Sequence, residues 1–147
     1  MKLFKLLLTA LPSALLAVGC ASGPKYSQYR PTLPPAPTGF GRVWFYRPSA
    51  MGAGVQPAVK LDDQVVGNAV PHGFFHVETL PGAHEVSAKT EWKHKTSITV
   101  STNADSYVRL NMMMGLIVGH IIPKEVPEAQ AAKEMQNLHL ATKESGN

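Results

Sequence analysis

The sequence predicts a mainly β fold: a β-sandwich of about seven short antiparallel strands with one C-terminal helix, behind an export signal and a proline-rich linker. Three observations carry that expectation. Between Gly41 and Met114, short runs rich in β-branched and aromatic residues are separated by turn signals. Several runs alternate apolar and polar residues, the period of a half-buried strand. The clearest helical punctuation comes after them, at Pro127 and Glu128.

The chain opens with Lys2 and Lys5, then an apolar stretch from Leu6 to Val18 broken by Pro12 and Ser13. A membrane-spanning helix needs ~20 apolar residues, so this stretch is too short and too interrupted. A charged start, a short apolar middle and small residues at its end are the pattern of an export signal, here residues 1–19. It ends Leu15-Leu16-Ala17-Val18-Gly19-Cys20, with the single cysteine of the chain last. That run resembles the lipobox of bacterial lipoproteins. The resemblance implies cleavage between Gly19 and Cys20, a diacylglyceryl thioether on Cys20, and acylation of the new amine by a palmitate-like chain. One acyl chain binds a membrane marginally, whereas two or more anchor stably. Ala21, rather than Asp, follows the cysteine and resembles outer-membrane sorting in Gram-negative bacteria. The expected location is the outer membrane, lipid-anchored and facing the periplasm. The expected partners are the membrane, through the lipid on Cys20, and an envelope protein.

The chain has 147 residues, 128 of them from Cys20 onward. That length suits one modest domain with its own core and a linker. With its single cysteine acylated, the chain has no intramolecular disulfide to stabilise it. The formal charge of +4 falls to +2 without Lys2 and Lys5, with acidic and basic residues interspersed. No basic stripe is legible, so nucleic acid is not an expected partner.

Residues 20–40 read as the lipidated cysteine and its tether. Pro24, Pro31, Pro34, Pro35 and Pro37 favour extended polyproline II, a spacer reaching on the order of 60 Å at ~3.1 Å per residue. Residues 41–126 read as the sandwich. Arg42 to Arg47 forms a strand that stops at Pro48, and Ser49 to Gln56 a flexible loop. Ala58–Leu61, Asp62-Asp63 and Gln64–Gly67 read as strand, turn and strand, with Asp63 at a position needing φ > 0. Phe74 to Leu80 follows, with Phe75 and Val77 on one face, and Pro81-Gly82 suits a type II turn. His84 to Lys89 places His84, Val86 and Ala88 on one side, and His94 to Val100 turns Ile98 and Val100 inward. Ser106 to Met114 aligns Val108, Leu110 and Met112, with Met114 buried beside them. Gly115 to Ile122 is apolar but far too short to span a bilayer, and reads as a buried strand or loop. Residues 127–140 read as a helix with Pro127 first and a stripe of Val126, Ala129, Ala132 and Met135. Residues 141–147 form a polar tail.

In order, Gly41–Pro48, Val59-Lys60-Leu61-Asp62, Val66-Gly67, Leu80–Val86 and Met114–Gly119 resemble the lipoprotein-like family called domain of unknown function 2846. The shorter Leu-Asp, Val-Gly and Pro-Gly-x-His-x-Val pattern is also similar to PEGA-type surface modules. The resemblance implies a β-sandwich and no assigned activity. Asp63, where both patterns have glycine, bears on the turn type.

No His-Glu-x-x-His, Gly-x-Ser-x-Gly, cysteine cluster or phosphate-cradling loop is present. Six histidines raise a metal hypothesis. In an extended chain, however, His72 and His76 lie ~13 Å apart. His84, beside a Pro-Gly turn, reads as a hydrogen-bonded packing residue. Asp62-Asp63 reads as a solvated turn. Tyr107, Arg109 and Met113, on the face opposite Val108, are the candidate contact surface. The expectation is a non-enzymatic binding or envelope-assembly module with no catalytic residue, metal or cofactor. The alternatives are an envelope hydrolase or metal-binding enzyme, motivated by the histidines and Asp62-Asp63, and an apolar-ligand carrier lined by Leu116 to Ile122.

Overall fold

The computed structural model describes residues 19–141. The export signal expected over residues 1–19 lies outside them except for Gly19, and the tail expected from residue 141 lies outside them except for Ala141. Among the described residues, nine strands form two sheets. They are β1 Gly41–Arg47, β2 Ala58–Leu61, β3 Gln64–Asn68, β4 Gly73–Thr79, β5 Gly82–Lys89, β6 Lys93–Val100, β7 Asp105–Met113, β8 His120–Val126 and β9 His139–Leu140. Helix α1 is Tyr26–Tyr29, followed by a 3-10 turn at Arg30–Thr32, and α2 is Glu128–Met135. One sheet has the order β8-β7-β1-β4-β9, the other β3-β2-β5-β6.

The mainly β class and the first seven strands stand as the sequence predicts. The pairing differs from an all-antiparallel sandwich, because β1 pairs with β7 and β4 with β9 in parallel. Parallel neighbours need a long crossover, and here the path from β1 to β7 runs through the whole second sheet. Asp62 and Asp63 both take left-handed φ, 49° and 64°, which is the two-residue hairpin geometry between β2 and β3. Gly82 has φ 139°, well beyond the ~+80° of a type II turn. Its bend carries the chain from β4 in one sheet to β5 in the other.

Between the sheets, Phe45, Val59, Phe75, Val86, Ile98, Val108, Leu110 and Ile121 make the main core. A second core lies on the outer face of the five-stranded sheet. There Trp44, Tyr46, Phe74, Tyr107 and Val126 are covered by Tyr26, Ala131, Met135 and Leu138. Every residue of β1 is therefore buried, and its sequence shows no polar face.

Three elements differ from expectation. The stretch after residue 119 is an edge strand, β8, paired with β7. Pro123 is tolerated there because an edge strand has one unpaired side. The helix is shorter than 127–140: Pro127 is its cap, and it gives way after Met135 to β9. Its buried face is Ala131 and Met135, continued by Leu138, while Ala129 faces solvent. The expected spacer is instead a strap laid on the sheet. Ala21 N donates to Pro71 O, Gly23 N to Leu140 O and Tyr26 N to Leu138 O, at 3.2, 3.1 and 2.9 Å. Arg30 pairs with Asp105 at 2.6 Å, and Arg42 Nη2 donates to Pro34 O at 2.9 Å.

Candidate functional site

Cys20 is exposed, at the point where the chain meets the domain. Ala21 is already hydrogen-bonded to Pro71. The Ala21 methyl lies 3.0 Å from where a Cβ on Gly73 would stand, so glycine at residue 73 admits the strap. Beside it, β1 ends at Arg47, which is fully buried. Its guanidinium donates to the carbonyls of Val55 and Ala69 at 2.7 Å each, Met51 at 2.6 Å and Gly52 at 2.9 Å. Burial holds the Arg47 pKa below the ordinary guanidinium value, with the nearby Cys20 thiol opposing that shift. The residues between Ser49 and Gln56 are thus wound around one cation. Gln56 Nε2 donates to Gly19 O at 3.3 Å, which places this loop against the cysteine.

The three candidate contact residues separate. Tyr107 is buried beneath α2, and burial raises its pKa. Arg109 Nε donates to Glu134 Oε2 at 2.8 Å, the same oxygen that Tyr46 reaches at 2.7 Å. Burial pushes Glu134 upward, but hydrogen bonds from Tyr46, Gln130 and Arg109 outweigh it and hold the carboxyl below its ordinary value. Met113 alone of the three is well exposed. Alternation set Tyr107 and Arg109 opposite Val108 as expected, but that face is covered by a second layer. Met114, expected inside, is 74 % exposed because β7 ends before it.

The histidines also separate, except His94 and His120, whose rings meet edge-on with centroids 5.4 Å apart. His72 is an exposed turn residue with φ 50°. His76 packs on Trp44, with ring centroids 4.8 Å apart, and shares a hydrogen bond with Tyr29 OH at 3.1 Å. Desolvation lowers its pKa against the opposing pull of Glu78. His120 is buried, with Nδ1 2.7 Å from Thr90 Oγ1 and its ring stacked on Trp92 at 4.9 Å. Among the described residues no three His, Cys, Asp or Glu side chains gather as a metal site.

His84 bridges Asp62 Oδ2 at 2.5 Å and Leu80 O at 2.7 Å, the packing role expected of it. The Asp62 hydrogen bond raises the His84 pKa, and the same bond, with Glu85 N–H, lowers that of Asp62. The raised His84 value contributes stability that is complete below ~6.5 and lost as pH rises through its folded pKa. The lowered Asp62 value contributes stability present above ~3.9 and lost as pH falls through its folded pKa. The pair is therefore tightest between those limits, and the half-exposed Asp62 keeps the effect small. In an NMR titration the His84 midpoint should lie above ~6.5, and Asp62→Asn should bring it down. A His84 midpoint unmoved by that change would rule the pairing out.

A cleft of about 400 Å³ opens beside β3, β4 and β9. Val65, Val66, Val70 and Phe75 give it apolar walls, and Tyr29, Asn68 and His76 polar edges. The apolar-carrier alternative placed its lining elsewhere, at Leu116 to Ile122. The structure turns Leu116 and Ile117 out to solvent, each 88 % exposed.

The family described as Protein of unknown function (DUF2846) matches residues 37–120, more than half of the chain. The chain belongs to that family. The match to DUF2846 runs from the end of the strap through β7 to the start of β8, and leaves Cys20, α1 and α2 outside it. The DUF2846 description assigns no activity. No curated protein and no solved structure matches the chain.

Proposed function

We propose that this protein is a non-enzymatic, lipid-anchored protein of the bacterial envelope. It presents its sandwich on the periplasmic side of the outer membrane as a binding or envelope-assembly module. The observation that carries this reading is Leu15–Cys20, a lipobox-like run ending in the single cysteine of the chain. One structural fact supports it: Cys20 is exposed, so acyl chains on its sulfur and amine displace nothing from the core. No helix of the described residues is long and apolar enough to cross a membrane. The hydrolase alternative draws no support from the placement of its residues, since both ring nitrogens of His84 are taken, by Asp62 and by Leu80 O, and His76 is bonded to Tyr29.

The test is metabolic labelling of Gram-negative cells with radioactive palmitate, followed by fractionation. The wild-type chain is expected to carry label and sediment with outer membrane. Cys20→Ser should lose the label and pass largely to the soluble fraction or stay uncleaved. Unlabelled, soluble wild-type protein would sink the anchor. Crosslinking in intact cells should then yield a discrete envelope partner with the anchored form alone.

A further inference from the structure

The end of the sandwich that carries Cys20 also carries an apolar loop. Strand β1 runs toward Arg47, and its parallel neighbour β7 runs toward Met113 at the same end. Strand β4 starts there at Gly73, opposite Arg47, and β8 starts there at His120, opposite Met113. Ala21 sits against Gly73, and a Cβ on Gly52 would touch Met112 Cε. The loop held by Arg47 therefore fills the space between Cys20 and the β7–β8 connection. That connection, Gly115–Gly119, projects Leu116, Ile117 and Val118 outward, flanked by Met113, Met114 and Trp92.

The exposure is built into the fold. Val118 N donates to Glu91 Oε1 at 3.2 Å, tying the loop to the tip of the β5–β6 hairpin. Trp92, 56 % exposed, lies flat on the buried His120 ring, at 12° between planes. A side chain at Gly115 would collide with Val118 O and the His120 imidazole, and one at Gly119 with the Met112 sulfur. Glycine at both positions lets the loop fold tightly over His120 and leaves its larger side chains no inward place.

We propose that this loop and Trp92 form a second membrane contact, with Leu116, Ile117 and Val118 entering the outer part of the bilayer beside the lipid on Cys20. The inference rests on the anchor reading for its choice of occupant. The strap is bonded to the domain from Ala21 onward, so the acylated residue has no spacer and this end is held at the headgroups. An aromatic residue at the rim of an apolar group is the arrangement favoured at a membrane interface.

The test uses the full chain produced in a Gram-negative envelope and reconstituted into phosphatidylethanolamine–phosphatidylglycerol vesicles with brominated acyl chains. Bromine quenches tryptophan on contact, and Trp44 is fully buried, so quenching reports Trp92. Wild-type protein should lose at least half of the emission removed by Trp92→Phe. Leu116→Asp with Ile117→Asp should restore it, with an unchanged melting temperature. Unquenched Trp92 in acylated protein would overturn the loop contact and leave the anchor standing. Quenching in a chain whose mass shows unmodified Cys20 would uphold the loop contact and overturn the anchor. Loss of Trp92 quenching together with self-association, or with crosslinking of the loop to a protein, would assign the patch to that partner and overturn the proposal.

Discussion

Replacing Arg47 by methionine is expected to cost about 3–5 kcal/mol, because each buried carbonyl left without its donor costs ~1–3 kcal/mol. For a domain of this size that corresponds to a melting temperature roughly 10–20 °C lower. Methionine fills similar volume without donors, so the carbonyls of Met51, Gly52, Val55 and Ala69 lose their shared partner. Those acceptors lie within one loop and the turn after β3; the bond to Ala69 is buried and the other three are partly buried, so the Ala69 carbonyl carries most of the loss. Arg47→Lys should recover only part of the loss, because an ammonium is a compact three-donor charge and lacks the planar fork. Thermal unfolding followed by circular dichroism reads both variants. A methionine variant melting within a few degrees of wild type would show that the loop holds without the clamp. The expected collapse has a second consequence, because the same loop lies between Cys20 and Met112.

The strands legible in the sequence were those whose signal is local. His94–Val100 alternates because β6 has one dry face and one wet face, whereas in β5 the alternation of His84–Lys89 is carried by residue type alone, since Ser87 is buried between Val86 and Ala88. Asp62-Asp63 declares its hairpin through two residue types that tolerate positive φ. Arg42–Arg47 is legible by composition, yet its lack of alternation has a cause outside itself: both faces of β1 are covered. What covers the second face was illegible for the same reason. Proline in residues 24–37 fixes extended backbone, and extended backbone serves a free spacer and a docked strap equally well. Tyr26 and Leu33 were the available signal, two large apolar residues that a pure spacer has no use for. Strand β8 was obscured by Pro123, which an edge position permits, and β9 is two residues long. The candidate site divides along the same line. Cys20 is legible because a lipobox resemblance is a contiguous run, whereas Tyr107 sits on the expected face but under a helix whose docking no spacing reveals. The exposure of Leu116 and Ile117 was hidden too, since an apolar octet bracketed by glycines resembles an interior segment.

If the strap is part of the fold, Tyr26→Ala should destabilise the domain by about 3–4 kcal/mol, at the scale of a large aromatic removed from a core. Tyr26 is 7 % exposed and meets Trp44 and Phe74 edge-on, with ring centroids at 5.2 and 5.4 Å. Truncation opens a cavity over Trp44 and also removes two edge contacts worth ~0.5–1.5 kcal/mol each. Its backbone N–H, bonded to Leu138 O, then lacks the packing that keeps α1 against the residues preceding β9. Trypsin gives an independent readout. Arg30 precedes Pro31 and resists cleavage, so the bond after Lys25 is the sensitive one in this stretch. In the wild type Lys25 bridges to His139, and cutting there should be slow. Tyr26→Ala should speed it by an order of magnitude or more, as a few kcal/mol shift the local opening equilibrium. Tyr26→Phe, which keeps the ring, should stay close to wild type in both assays. A Tyr26→Ala protein with unchanged melting and unchanged cleavage would restore the free spacer. The domain would then stand off from the lipid, and the short connection from Cys20 that brings the apolar loop to the bilayer would be lost with it.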